Sequence, residues 1–203
     1  MAETYEFLRV DRAPDGIVTV TFDRPPVNAM SQQAMLEITA CFRSFADEKE
    51  TRVVILTAAG ERAFMAGVDL ADRPQAPPPP SRMLDSGTVA RECFWAVYDC
   101  AAPVIGAING PALGAGLAVA SMCDVIIASE RAKFALPEID VGLLGGGTHL
   151  FRLVGSQYQL RRMMYTGIRV DAKDMARFGC IEAVVPPDEL LPTARALAQD
   201  IAK

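Results

Sequence analysis

The sequence has little histidine and no cysteine pattern that would build a metal site or a disulfide framework. Its one histidine is His149, and its five cysteines contain no C-x-x-C pair. An odd, unpaired set of cysteines argues against structural zinc and disulfides, so we expect no metal. A serine–histidine pair would have to use His149, and no serine lies in a matching glycine turn, which disfavours a serine protease. The acidic N-terminus is not a signal peptide, and we expect a cytoplasmic location.

The sequence also lacks an excess of positive charge. Twenty Lys and Arg residues stand against twenty-five Asp and Glu residues, which gives a net charge of -5. Nucleic-acid binding normally requires a basic balance, so we expect no nucleic-acid partner. An anionic ligand would need a local basic patch. The 203 residues, 51% of them hydrophobic, are typical of a single globular domain that spans 1–203.

One long uncharged stretch requires a test for a membrane span. No charged residue occurs between Cys100 and Cys123, which is long enough to cross a bilayer. However, Pro103, Asn109 and Pro111 interrupt it, together with four glycines. We therefore predict a buried strand, loop and helix in a protein core, and no membrane partner.

Short apolar strands alternate with helical segments along the chain. We predict strands at 5–10, 17–22, 53–56, 104–108, 125–128 and 182–185. We predict helices after a Ser31 cap, at 85–99, 157–165 and 172–178, and from Glu189 onward. Such alternation indicates an α/β domain with parallel pairing, followed by a C-terminal helical region at 149–203.

Residues 73–81 are rich in proline. Four consecutive prolines, Pro77 to Pro80, cannot continue a helix or a central strand. We predict a mobile surface loop, and the functional alternative is a lid or pocket wall.

Common phosphate-binding, dinucleotide, nucleophile-elbow and zinc-protease motifs are absent, but two glycine-rich turns each follow a buried strand. They lie at 63–70 and 109–116, and the second opens a helix. Small residues leave backbone N–H groups accessible, and the first N–H groups of a helix have no partner within it. Two such turns could converge on one oxygen atom as an oxyanion hole, whereas either turn alone more often reflects close packing.

Several short motifs occur in a characteristic order. They are D-R-P-P-V-N-A-M at 23–30, A-F-M-A-G-V-D-L at 63–70, N-G-P-A-L-G-A-G at 109–116, C-D at 123–124, F-A-L-P-E at 134–138, and Gly142. Over residues 5 to about 200, this set resembles the enoyl-CoA hydratase/isomerase (crotonase) superfamily. The resemblance implies a crotonase-like α/β fold, a spiral of ββα units that Clp-type proteases share, with a short or missing C-terminal helical part.

The resemblance also implies a site and a substrate. The backbone N–H groups of Ala66 and Ala115 would form the oxyanion hole, and Glu138 would be the catalytic acid/base. Six residues would bind the substrate, an acyl-CoA thioester: Ala66, Gly67, Val68, Asp69, Gly114 and Ala115. Coenzyme A would be part of the substrate, so no separate cofactor is expected. The expected assembly is a homotrimer or a dimer of trimers.

The sequence departs from the family pattern in ways that leave the reaction open. The hydratases have a second glutamate where this chain has Ala118, and the segment after Gly142 is two residues shorter than usual. Three alternatives follow: a hydratase with Glu138 as acid/base, an isomerase that uses Glu138 alone, or an acyl-CoA-binding protein without turnover. Asp140 and His149 are nearby candidates to replace the missing carboxylate, although His149 is more typical of a structural residue.

The phosphates of the coenzyme would need basic partners. Arg24 and Arg62 lie nearest to the expected binding path in the sequence, and we expect them to bind the phosphates.

Overall fold

The structure, a computed structural model, describes residues 4–72, 80–143 and 147–203. The predicted proline-rich loop at 73–81 therefore lies mostly outside the described residues. Its last two positions belong to a helix that begins at Pro80, five residues before the predicted start. Proline is favoured in the first turn of a helix, where its missing N–H costs nothing.

A six-stranded sheet forms the centre of the molecule. The strands of the described chain are β1 (Leu8–Arg12), β2 (Ile17–Phe22), β3 (Val53–Ala58), β4 (Val104–Ile108), β5 (Ala112–Leu113), β6 (Val125–Ser129), β7 (Lys133–Ala135), β8 (Val170–Asp171) and β9 (Ala183–Val185). The main sheet has the order β1-β2-β3-β4-β6-β9, and only the β1–β2 pair is antiparallel. Strands β5, β7 and β8 form a second, smaller sheet.

Helices cover both faces of the main sheet. They are α1 (Gln32–Ser44), α2 (Pro80–Tyr98), α3 (Ala115–Met122), α4 (Gln157–Thr166), α5 (Ala172–Arg177) and α6 (Leu190–Ile201). The larger core includes residues of α1, α2 and α3, and a smaller core joins Ile55, Ile105 and Ile127 to α6. Strands β3 and β4 are buried throughout because both of their faces are covered, which explains their apolar sequences; the one polar side chain, Thr57, donates to the Ala107 carbonyl. The α/β prediction is confirmed.

Local signals account for most element boundaries. The Ser31 hydroxyl accepts a hydrogen bond from the Ala34 N–H and caps α1 as predicted. Strand β1 begins at Leu8 rather than at residue 5. The Phe7 carbonyl accepts from the Asp23 N–H just after β2, but the Phe7 N–H donates to the Glu37 carboxylate of α1 at 2.8 Å, so the strand ladder does not continue through Phe7.

The fold brings both glycine-rich turns to one edge of the sheet. Strands β3 and β4 are parallel neighbours, so their carboxyl ends meet at the same edge. The turn at 63–70 comes after β3, and the turn at 109–116 comes directly after β4. Ligands of parallel α/β sheets typically bind at the carboxyl ends of the strands, so a site is expected at this edge.

Candidate functional site

The two turns run side by side. Met65 forms a parallel bridge with Ala112, and the Leu113 N–H donates to the Met65 carbonyl at 2.9 Å. Gly116 permits this contact, because a Cβ at that position would lie 2.2 Å from the Met65 carbonyl oxygen. The first turn of α3 therefore packs directly against the backbone of the neighbouring turn, as the expected convergence requires.

The Ala115 amide is available to a ligand. Ala115 is the first residue of α3, and its N–H has no acceptor in the described part of the chain. The preceding residue, Gly114, has φ +53°, a conformation that favours glycine. Because glycine has no side chain, no side-chain group caps the start of the helix. An unpaired first-turn N–H carries part of the positive end of the helix dipole, so it can stabilise negative charge.

The Ala66 amide is not free in the same way. It donates a 3.3 Å hydrogen bond to the carbonyl oxygen of Asn28. This contact counts against the prediction that Ala66 provides the second donor. By contrast, the N–H groups of Gly67 and Val68 have no acceptor within 4–72, 80–143 and 147–203.

The parallel bridge between Met30 and Val68 leaves the Val68 amide unpaired among the described residues. Met30 bridges Val68: its N–H donates to the Gly67 carbonyl, and its carbonyl accepts from the Asp69 N–H. In a parallel bridge the N–H of the central residue points to the opposite side. The residue before Val68 lies against the turn that contains Ala115, because a Cβ on Gly67 would lie 3.9 Å from the Ala115 nitrogen.

The Glu138 carboxyl lies against the same turn. Glu138 follows β7, which pairs with β5, and belongs to the 3-10 helix Pro137–Val141. A Cβ on Gly114 would lie 3.0 Å from its Oε1. Its Oε2 is buried and has no hydrogen-bond partner among the residues described. Burial raises the pKa of Glu138 above its ordinary value, as an acid/base working near neutral pH requires.

This buried carboxyl should lower the stability of the protein at high pH. The unfolded chain ionises Glu138 at its ordinary pKa, and the folded chain ionises it only at the raised pKa. Below the ordinary pKa the carboxyl is protonated in both states, so its burial does not reduce the free energy of unfolding. Above the raised pKa the carboxyl is ionised in both states, and the full cost of burying its charge reduces the free energy of unfolding. We expect the Glu138→Gln variant to unfold at a higher temperature than the wild type at about pH 8.

Differential scanning calorimetry from about pH 4 to pH 8 tests this expectation, because glutamine does not titrate. The difference in Tm should shrink as the pH falls. A difference that stays constant or grows toward acid pH would contradict the assignment of a raised pKa to Glu138.

The candidate replacements for a second carboxylate make other contacts. The Asp140 carboxylate lies near Gly167, where a Cβ would be 3.0 Å from its Oδ2. The half-buried His149 ring packs edge-on against the Phe94 ring, with 5.2 Å between the ring centroids. Partial burial lowers the pKa of His149. Ala118 is buried on α3, one turn after the helix start, and brings only a methyl group.

The other predicted binding residues lie at the rim of this site. Asp69 forms a 2.7 Å ion pair with Arg24 and accepts from the Ala71 N–H, and these contacts lower its pKa. Arg24 is thus already paired, which weakens its expected role as a phosphate ligand. Arg62 is exposed and has no ion pair among the described side chains, and Val68 is partly exposed.

The described residues contain a further cavity away from this site, but neither a membrane-spanning helix nor a metal-binding cluster. A cavity of about 720 Å³ lies between the β1–β2 turn and the end of α6, away from Glu138. No described helix combines the length and hydropathy needed to cross a membrane. No group of three or more His, Cys, Asp or Glu side chains that could hold a metal occurs in 4–72, 80–143 or 147–203.

Comparisons with known proteins point to one family. A family model described as enoyl-CoA hydratase/isomerase matches residues 12–203. The chain is 43% identical over 188 residues to the (7aS)-7a-methyl-1,5-dioxo-2,3,5,6,7,7a-hexahydro-1H-indene-carboxyl-CoA hydrolase of Rhodococcus jostii, covering 93% of this chain and 72% of the relative. It is 35% identical over 204 residues to the carnitinyl-CoA dehydratase of Citrobacter koseri, covering 99% and 75%.

The fold matches solved structures as well. The chain superposes on the crystal structure of an enoyl-CoA hydratase from Mycobacterium smegmatis with a TM-score of 0.90 and 33% identity. That match covers 97% of this chain and 76% of the other.

Proposed function

The chain belongs to the enoyl-CoA hydratase/isomerase family and has the crotonase fold, and we propose that it stabilises the enolate of an acyl-CoA thioester. The oxyanion hole consists of the N–H groups of Val68 and Ala115, and Glu138 is the acid/base. The observation that carries the proposal is the Glu138 carboxyl, whose Oε2 is buried and unpartnered among the described residues and whose Oε1 lies beside Gly114, next to the unpaired Ala115 N–H.

This arrangement suits the chemistry of a thioester. A thioester carbonyl acidifies the protons on its α-carbon, and negative charge accumulates on its oxygen as a proton leaves or a nucleophile adds at the β-carbon. Each well-placed N–H donor is typically worth about 2.7–4 kcal/mol of transition-state stabilisation. Coenzyme A is part of the substrate, so the proposed reaction uses no separate cofactor.

Val68 replaces Ala66 as the second donor in this proposal. The Ala66 N–H donates to the Asn28 carbonyl, whereas the Val68 N–H is unpaired among the described residues, and the adjacent Gly67 lies against the Ala115 turn. Val68 is also partly exposed, so a ligand can reach its backbone. Ala66 and Gly67 remain in the proposed wall of the binding path, and Asp69 supports its rim through Arg24.

The reaction that we propose is the addition of water to an enoyl-CoA, or its reverse. One relative of this chain is named as a dehydratase of a CoA derivative, which supports this reaction, and another is named as a hydrolase. In the hydration direction, Glu138 accepts a proton from water as the water oxygen bonds to the β-carbon. The double-bond electrons move into the thioester, and the two amides stabilise the enolate oxygen. Glu138 then returns the proton to the α-carbon, which gives the β-hydroxyacyl-CoA.

Isomerisation is the second candidate, and Ala118 favours it. A single carboxylate suffices to remove a proton from one carbon and deliver it to another. Because the buried Ala118 side chain cannot orient a water molecule, the site has one ionisable partner for the substrate where the hydratases have two. The same enolate and the same two donors serve this reaction.

Product analysis distinguishes the candidates. The protein is incubated with a trans-2-enoyl-CoA and, separately, with a 3-enoyl-CoA, and the conjugated thioester absorbance is followed. Loss of absorbance with incorporation of ¹⁸O from water supports hydration, and gain of absorbance from the 3-enoyl-CoA supports isomerisation. An enzymatic role would be contradicted if calorimetry shows that acyl-CoA binds while neither assay shows turnover and no free CoA thiol is released.

Assembly and location are part of the same proposal. The side chains of Ile139 and Val141 flank Glu138 and are 55% and 48% exposed, which supports burial against a further copy of the chain. We propose a trimer, which light scattering tests. The five thiols, all free in the structure, support a reducing compartment such as the cytoplasm.

A further inference from the structure

Asn28 is a buried polar residue for which the proposed chemistry has no direct use. It lies in the loop between β2 and α1 and is only 4% exposed. It is the one described non-glycine residue with positive φ, at +55°. Such backbone is uncommon outside glycine, although asparagine tolerates it better than most residues. A buried side chain held in this conformation indicates a specific role.

Every polar group of Asn28 forms a hydrogen bond. The side-chain amide donates to the carbonyl oxygens of Ala59 and Ala63, at 2.9 Å each. Its Oδ1 accepts from the Arg24 N–H at 2.9 Å. The backbone N–H donates to the Arg24 carbonyl, and the backbone carbonyl accepts from the Ala66 N–H. One residue thus joins its own loop to Ala59, just after β3, and to Ala63 and Ala66 of the neighbouring turn.

These bonds hold the segment that carries one of the proposed donors. The turn at 63–69 is fixed on one side by Asn28 and Met30 and on the other side by Pro111 and Leu113. Because the Ala66 N–H donates to the Asn28 carbonyl, the next N–H groups along the chain that have no acceptor among the described residues are those of Gly67 and Val68.

We propose that Asn28 is the positioning residue of the oxyanion hole, because it fixes the backbone that directs the Val68 N–H toward the thioester oxygen. The inference rests on the proposed function, since it assigns a task to the same site. Asparagine suits this position because two carbonyl oxygens require two N–H donors on one short side chain. An aspartate would place an acceptor against those two carbonyls.

The test removes the Asn28 side chain without straining its backbone. Glycine adopts positive φ at little cost, so Asn28→Gly deletes the three side-chain hydrogen bonds only. The matched control is Asn109→Ala, because the Asn109 amide also donates to two carbonyls of the same loop, those of Ala58 and Gly60. Asn109 does not contact the segment at 63–68 through these bonds.

The readout is the infrared stretching frequency of a ¹³C-labelled thioester carbonyl in bound acyl-CoA, together with kcat and KM. In the wild type and in Asn109→Ala we expect the frequency to fall on binding, because the donors polarise the carbonyl. In Asn28→Gly we expect most of that shift to disappear and kcat to fall about 10- to 100-fold with KM within a few-fold, as for a donor displaced by about 1 Å.

The outcomes separate this inference from the proposed function. If the wild type shows no shift on binding, the oxyanion hole itself is wrong. If Asn28→Gly keeps the wild-type shift, or if Asn109→Ala loses it equally, Asn28 has no specific positioning role. Should Asn28→Gly fail to fold, Asn28→Asp provides the same test, because it retains the acceptor for the Arg24 N–H and loses the two donors.

Discussion

The Glu138→Gln variant is expected to lose about 10²- to 10⁴-fold in kcat, the usual contribution of a positioned acid/base. Glutamine preserves the shape of the side chain but neither accepts nor returns a proton. Because glutamine fills the same space beside Gly114, substrate binding should be kept and KM should change little. Steady-state kinetics with the preferred enoyl-CoA measure both parameters.

Asp140→Asn is the matched control for this experiment. Asp140 belongs to the same 3-10 helix, but its carboxylate lies near Gly167. We expect Asp140→Asn to retain kcat within a few-fold. If Asp140→Asn is inactive and Glu138→Gln remains active, Asp140 moves the proton and the assignment of Glu138 as the acid/base is wrong.

The Ala115→Pro variant is expected to lose about 10²- to 10³-fold in kcat, the effect of deleting one oxyanion-hole donor. Proline removes the N–H and leaves no other hydrogen bond unmade, because this amide has no acceptor among the described residues. Position 115 is the first residue of α3, where proline is well tolerated, so the helix should persist. Circular dichroism and kinetics on the same sample test both parts of the expectation.

The Ala115→Gly variant separates the amide from the side chain. Glycine retains the N–H, so this variant should keep much more activity than Ala115→Pro. Equal losses in the two variants would show that the methyl group or the packing of α3 matters, and that the amide does not act on the substrate.

Much of the fold follows from local sequence signals. Strands β2 and β4 have the predicted bounds because their apolar runs end at turn residues, and the Ser31 cap marks the start of α1. The start of β1 was misplaced because Phe7 bonds to Glu37, a partner 30 residues away, and no local pattern contains that contact.

The site was only partly predictable for the same reason. Glu138 and Ala115 follow from motifs that lie next to a strand end and a helix start. The choice between Ala66 and Val68 depends on which amide the loop at 28–30 engages, and that pairing crosses more than 35 residues of chain. The available signal was Asn28 itself, an asparagine after two prolines and just before the Ser31 cap. Asparagine at such a turn is typical of positive φ and side-chain bonds to the backbone.

The most direct test of the central claim is a crystal structure of the Glu138→Gln variant with a bound acyl-CoA. The thioester oxygen should lie about 2.7–3.1 Å from the backbone nitrogens of both Val68 and Ala115. The side chain at position 138 should contact the α- or β-carbon of the acyl group. A thioester oxygen bound elsewhere, or one that contacts neither amide, would contradict the account.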